Sequence, residues 1–272
     1  MGATAKENVK IMLLVIDVGN TQTAIGVYEG EHLERMWRVA TNREHTSDEL
    51  RCKLLPLVRS EGIDPSDIDG AALASVVPQL TGAWVRAVAD FAGVETVVCS
   101  AETAGSLFKT DYPNPREIGA DRVADAVAAQ ILYGCPVVVV DFGTATNIEV
   151  VDAEGSFRGG IIAPGVLTGA SALFSHATRL AAIDLVDPKR AIGRSTEQAM
   201  QIGIVYGEAD RADGLVRRVL DQLGCTAPVP IVATGGLASL IAEHSRTITA
   251  VQPDLTLEGL RFVYAECAKT GQ

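Results

Sequence analysis

Two short stretches, DVGNT at Asp17–Thr21 and DFGTAT at Asp141–Thr146, decide how this chain is read. Each begins with an aspartate at the end of an apolar, strand-like run and is followed by a second strand-like run, so the same hairpin is written twice. Asp, Gly and hydroxyl residues at a tight hairpin turn backbone N–H groups and side-chain hydroxyls toward one edge, with a carboxylate positioned to hold a hydrated cation. Two such edges could clamp a nucleoside triphosphate, which points to phosphoryl transfer.

Working outward, Ile11–Ile16, Gln22–Tyr28 and His32–Ala40 read as three strands of a meander, with Glu29-Gly30-Glu31 as a turn. Ser47 opens a helical spacing through Leu50, Leu54, Leu55 and Val58, followed by a strand at Ile68–Val77, a helix at Leu80–Phe91 and a strand at Glu95–Cys99. Lys109–Glu117 is expected to be loose because of Pro113, Asn114 and Pro115, and Gly119–Tyr133 to be a helix with Val123, Val127 and Ile131 on one stripe. The second half repeats this order: strands at Pro136–Val140, Asn147–Asp152 and Ser156–Ile162, helices at Leu167–Ala177 and Ser195–Leu223, a strand at Ile231–Ala233, a strand near Thr247–Val251 and a closing helix from Leu257. The expectation is a duplicated α/β protein whose halves each start a mixed sheet with an antiparallel three-strand meander flanked by helices, residues 11–134 and 135–272 with a boundary near Gly134, after a disordered extension over residues 1–10.

Composition narrows the function classes. A net charge of −11 opposes attraction to nucleic-acid phosphates and anionic membranes, and the scattered arginines form no basic patch. Cysteines 52, 99, 135, 225 and 267 form no CxxC and are expected to be small core residues in a reducing, cytoplasmic setting. The first ten residues lack the apolar core of a signal peptide, and no apolar run approaches the ~18 residues of a membrane span. No two of the 26 glycines are separated by a single residue, which excludes the dinucleotide fingerprint and the protein-kinase glycine loop. There is no Walker A lysine and no GxSxG elbow, and the four isolated histidines suggest no zinc site.

The twin hairpins therefore remain the main candidates for chemistry. Asp17 and Asp141 end buried strands, where a carboxylate either caps its turn or faces a cleft, a cation or several donors. In GADR (Gly119–Arg122), Asp121 is either a first-turn acid favoured by the helix dipole or a general base with a cationic neighbour in Arg122; Asp125 shares its face. Ser195 and Gln198 have capping-box spacing, which alone would explain GRST as a helix start. Thr234-Gly235-Gly236 is either a plain strand-to-helix turn or a place where backbone approaches a base or ribose closely.

The set DVGNT, PNPREIGADR from Pro113, DFGTAT, Pro164-Gly165, GRST from Gly193 and TGG from Thr234, in this order from about Met12 to Lys269, resembles the type III pantothenate kinases. The resemblance implies two ribonuclease-H-like domains of the actin, Hsp70 and hexokinase superfamily closing on ATP. It also implies transfer of the γ-phosphoryl group of ATP to the primary hydroxyl of pantothenate, the opening step of coenzyme A synthesis, by a homodimer that needs Mg²⁺ with ATP and a monovalent cation, K⁺ or NH₄⁺. By position, the resemblance assigns Asp17, Val18, Gly19, Asn20, Thr21, Gln22, Thr23 and Ala24 to the first phosphate-binding segment, Thr144 to the second nucleotide contact and Asp141 to the monovalent cation. It assigns Asp121 as the proton acceptor within a substrate-contacting stretch of Gly119, Ala120, Asp121 and Arg122, with Tyr112 and a partner subunit's copy of Thr196 as further pantothenate contacts. The rival readings are a sugar kinase or polyphosphate-processing phosphatase of the same superfamily, and a non-catalytic transcriptional regulator, against which the intact GADR, the twin aspartates and the acidic balance argue.

Overall fold

The computed structural model describes residues 11–176 and 183–271. The extension expected over residues 1–10 and the expected helix end at Ala177 lie outside the described residues. The meander forms from β1 (Met12–Val18), β2 (Gln22–Glu29) and β3 (His32–Ala40), all antiparallel. Helix α1 (Ser47–Ser60) starts at Ser47, but Thr46 is its cap: the Thr46 hydroxyl accepts from the Glu49 N–H while the Glu49 carboxylate accepts from the Thr46 N–H. Strand β4 (Gly70–Ser75), helix α2 (Pro78–Ala92) and strand β5 (Thr96–Val98) complete a sheet of order β3-β2-β1-β4-β5, with β4 parallel to β1 and β5 parallel to β4. Strand β1 is buried on both faces, Leu13 and Val15 on one and Leu14, Ile16 and Val18 on the other, the latter packing with Leu54 of α1 and Trp84 and Val88 of α2.

Further along come β6 (Lys109–Thr110), α3 (Ala120–Tyr133), β7 (Val137–Phe142), β8 (Ala145–Val151), β9 (Ser156–Pro164), α4 (Val166–His176), α5 (Thr196–Leu223), β10 (Ile231–Thr234), α6 (Ala238–Ala242), β11 (Ala250–Val251) and α7 (Leu255–Thr270). The second sheet has the order β11-β10-β7-β8-β9-β6. Its β9-β8-β7-β10-β11 portion reproduces β3-β2-β1-β4-β5 strand for strand, with the same antiparallel and parallel pairings. Even the register irregularities match, at Val27/Tyr28 in β2 and Val150/Val151 in β8. The doubling expected from the hairpins is therefore present at the level of topology.

Strand β6 departs from expectation. It lies in the stretch read as loose, yet pairs in parallel with Ser156 and Phe157, and the Thr110 hydroxyl donates to the Phe157 carbonyl at 2.9 Å. The compact units are interleaved along the chain rather than meeting at one point such as Gly134. One contains the described residues up to Gly105, then Gly119–Asp121 and the residues from Leu260; the other contains Ser106–Ile118 and Arg122–Gly259. The end of α7 joins the first unit through the Cys267 thiol, 3.2 Å from the Thr103 carbonyl, and through Arg261, 5.7 Å from the Tyr28 ring centroid.

Two smaller expectations are corrected. Ile131 does not continue the buried stripe of Val123 and Val127 but is 43% exposed near the end of α3. Of the cysteines, Cys99 and Cys267 are buried as expected, while Cys52 and Cys135 are exposed.

In the second unit, buried Asp213 of α5 ties that helix to the loop before β11. It accepts from the Ser245 hydroxyl at 2.5 Å, the Arg246 N–H at 2.8 Å and the Thr247 hydroxyl at 2.7 Å. Burial alone would raise this carboxyl, but the hydrogen bonds from Ser245, Arg246 and Thr247 outweigh it and hold it below the ordinary carboxylate range. Asp213→Asn should cost about 1–3 kcal/mol at neutral pH. A depressed acid contributes stability above its unfolded value of about 3.9, lost as the pH falls through the folded one. Urea denaturation from pH 7 to pH 3 should therefore show the difference between parent and variant shrinking toward the acid end.

Candidate active site

The first hairpin closes tightly. Val18 pairs with Thr23 and Asp17 with Ala24, and the Gly19 N–H donates to the Gln22 carbonyl at 3.0 Å. Asn20, Thr21 and Gln22 are exposed at the tip, Asp17 and Gly19 are half-buried, and Val18 is buried. Thr23 faces inward, with its hydroxyl 2.9 Å from that of Thr41, while Thr41 also donates to the Gly19 carbonyl and its N–H to the Thr21 carbonyl. Arg43 donates to Asn20 Oδ1 at 2.9 Å. Thr41 and Arg43, which the sequence reading passed over, thus brace the tip from the chain leaving β3.

The start of α3 sits beside this hairpin within the same unit. Val76, just after β4, donates its N–H to the Val18 carbonyl at 3.1 Å, and its Cγ1 lies 3.6 Å from where a Cβ on Gly119 would be. The Cys99 thiol approaches the Ala120 carbonyl at 3.5 Å. Gly119, Ala120 and Asp121 therefore gather at the carboxyl ends of β1, β4 and β5, where open α/β sheets place their ligands. The half-buried Asp121 folds back over Gly119: a Cβ there would lie 2.5 Å from Asp121 Oδ1, so only glycine admits this rotamer without displacement.

The second hairpin is built alike in the other unit. Asp141 pairs with Asn147 of β8 and Thr234 of β10, and Phe142 with Thr146. Gly235, at φ 92°, presses on the acid so closely that a Cβ would stand 2.4 Å from Asp141 Oδ1. TGG thus packs directly against Asp141, an association invisible in sequence. Thr144 is exposed at the tip, and its carbonyl accepts from the Gly165 N–H at 3.2 Å and the Thr168 hydroxyl at 2.7 Å. Thr146, like Thr23, is buried; it donates to Glu208 Oε1 at 2.6 Å, and Arg211 bonds to both.

In the same unit Arg122 pairs with Glu149 and lies 5.4 Å from the Phe157 ring centroid, while the Tyr112 ring stands 6.4 Å from Phe157. Directly paired strand residues share a face, so Asp141, Asn147 and Glu149 line one side of this sheet. Buried Asn147 Oδ1 accepts no hydrogen bond among the described residues. Neither Asn147 nor Glu149 stood out in sequence; their period-two spacing from Ala145 was the available signal. Asp125 accepts from the Thr256 hydroxyl at 2.7 Å, so at least one of its oxygens serves packing. Thr196 is exposed at the first position of α5; Ser195 caps that helix, but Gln198 reaches the Arg194 N–H rather than closing a reciprocal box. His244, isolated in sequence, is not so in the fold: it pairs with Asp187 at 3.3 Å beside Glu243, though the Lys189 ammonium already compensates Asp187.

The model of the type III pantothenate kinase family matches residues 13–218. The type III pantothenate kinase of Roseiflexus sp. (strain RS-1) is 46% identical over 253 residues, covering 93% of this chain and 98% of that protein. Type III pantothenate kinase 1 of Symbiobacterium thermophilum is 45% identical, covering 93% and 96%. Among solved structures, a Baf family protein from Campylobacter jejuni superposes with a TM-score of 0.56 at 18% identity, covering 94% of this chain and 99% of that one. Component A of (R)-2-hydroxyglutaryl-CoA dehydratase from Acidaminococcus fermentans gives 0.55 at 15%, covering 96% and 100%. At such identities these structures speak to fold alone, and the fold is the duplicated ribonuclease-H-like one. With its motifs in order and its relatives matched nearly end to end, the chain belongs to the type III pantothenate kinase family.

Proposed function

We infer that the protein phosphorylates pantothenate, transferring the γ-phosphoryl group of ATP to its primary hydroxyl in the first step of coenzyme A biosynthesis. The observation that carries this is the family match across residues 13–218, joined to relatives about as long as the chain itself. Divalent metal accompanies ATP, and Mg²⁺ would neutralise phosphate charge as the γ-phosphoryl moves. Half-buried Asp17, at the end of β1 beside an exposed amide-bearing turn, is a fitting carboxylate to face it.

The residue roles follow. The Asp17–Ala24 segment and Thr144 contact ATP, with Asn20, Thr21 and Gln22 exposed for it and Thr23 bracing from within. Asp121 accepts the hydroxyl proton of pantothenate, Arg122 and Tyr112 hold its polar and apolar parts, and Thr196 reaches the site of a partner subunit. Asp141 holds a monovalent cation; its contact with Gly235 keeps the carboxylate at the strand end. The homodimer is supported by apolar side chains left exposed on β9, α4 and the segment before α5, with Ile162 at 67%, Leu167 at 57% and Ile192 at 80%. A cytoplasmic location suits five free cysteines, and the acidic balance disfavours nucleic-acid partners. Among the described residues no helix is long and apolar enough to cross a membrane.

A coupled nucleotide-release assay should show turnover that depends on pantothenate. Asp121→Asn should lower kcat by ~10²- to 10⁴-fold in a folded protein; near-parental turnover would remove Asp121 as the base. Activity should be higher in potassium or ammonium than in sodium, and Asp141→Asn should abolish that preference; equal rates in all three salts for the parent would exclude the cation role. Leu167→Glu should shift the mass measured by light scattering from dimer to monomer, and a dimer that survives would place the interface elsewhere.

A further inference from the structure

Arg122 is held on several sides at once. Its Nε donates to Glu149 Oε1 at 3.0 Å, its guanidinium carbon lies 5.4 Å from the Phe157 centroid, and its Nη2 lies over Gly160. A Cβ on Gly160 would stand 2.9 Å from that Nη2 and 1.7 Å from the Ile148 carbonyl, so bare backbone leaves the slot the guanidinium occupies. The Glu149 side chain is 0% exposed and that of Arg122 11%. Glu149 also starts from a rigid base: its backbone is paired to Val139 on one side and Gly160 on the other, in the interior of the sheet.

A buried ion pair of this kind is weak evidence for stability, because apolar residues of the same volume often serve the fold as well. Orientation is what it supplies. A long arginine side chain otherwise samples many rotamers, and a carboxylate on the Nε edge with an aromatic face beneath fixes the plane and direction of the guanidinium. We propose that Glu149 is a positioning residue that sets Arg122 for its contact with the phosphoryl acceptor. This rests on the pantothenate reading and adds to it the residue through which the second sheet controls substrate affinity. Glu149 acts through Arg122 alone and needs no contact with the substrate.

The test is steady-state kinetics of Glu149→Gln, which keeps the shape and removes the charge. The expected result is a KM for pantothenate raised about tenfold, with kcat within about threefold and the KM for ATP unchanged. A merely structural pair would lower the melting temperature and leave the pantothenate KM at the parental value, which would overturn the proposal, as would a fall in kcat at unchanged KM. Should Glu149→Gln fail to fold, Glu149→Asp keeps the charge but draws the acceptor back by one methylene, and it should raise the same KM; a parental KM there also overturns the proposal. In an Arg122→Ala background either substitution should add nothing further, whereas an equal added rise would show that Glu149 acts by another route. Failure of the kinase reading would appear differently, as a parent protein inactive on pantothenate.

Discussion

Each sheet depends on a central strand bonded along both edges, one edge to an antiparallel neighbour and the other to a parallel one. In β1, Asp17 pairs with Ala24 and Ala74; in β7, Asp141 pairs with Asn147 and Thr234. An acid in that position cannot retreat without tearing two ladders, and it stands where the parallel strands all present their carboxyl ends. Burial of a carboxylate is costly unless donors or a cation answer it. The strand order therefore fixes where Asp17 and Asp141 stand in each unit, and the hairpin tips, Asn20–Gln22 and Thr144, are the backbone beside them.

Burial separates two kinds of acid in this chain. Glu149, Glu208 and Asp213 are buried within bonds to Arg122, to Thr146 with Arg211, and to Ser245 with Thr247, and each ties one element to another. Asp17, Asp121 and Asp141 are half-buried at strand and helix ends. The first kind specifies which elements meet, and the second keeps part of its side chain at the surface. Thr23 and Thr146 obey the same division: the motif hydroxyls nearest the strands turn inward, while Asn20, Thr21, Gln22 and Thr144 at the tips are exposed.

Much of this was legible in the sequence. Hairpin repetition gave the doubling because period-two patterning and turn residues are local signals, and GADR, DVGNT and DFGTAT lie where the reading put them. What escaped it was set by contacts distant in sequence. Strand β6 has only two residues, too few for any period, and owes its existence to the edge of β9. Thr41 matters through Gly19 and Thr21, Gly235 through Asp141, and Glu149 through Arg122, and none of these partners is near in the chain. The Thr46 cap and the exposure of Ile131 are failures of another sort: the helices α1 and α3 begin and end about where expected, but which hydroxyl caps the first and where the second leaves the core are not fixed by patterning.

The flanks of the two sheets carry a consequence for solubility. Unpaired strand edges invite other chains to add themselves, and proteins blunt them with very short strands or with charge. Here β5 spans only Thr96–Val98 and β11 only Ala250–Val251, offering little to copy. The long β3 instead carries exposed Glu34, Arg35 and Arg38. Strand β9, equally long, is covered by the small β6 at Ser156 and Phe157 alone, and carries the exposed Arg158 just beyond. The two long outer strands thus differ in how they are blunted, β3 by charge along its length and β9 by a two-residue partner followed by Arg158, and a change that peeled Lys109–Thr110 away would bare the start of β9 at Ser156 and Phe157.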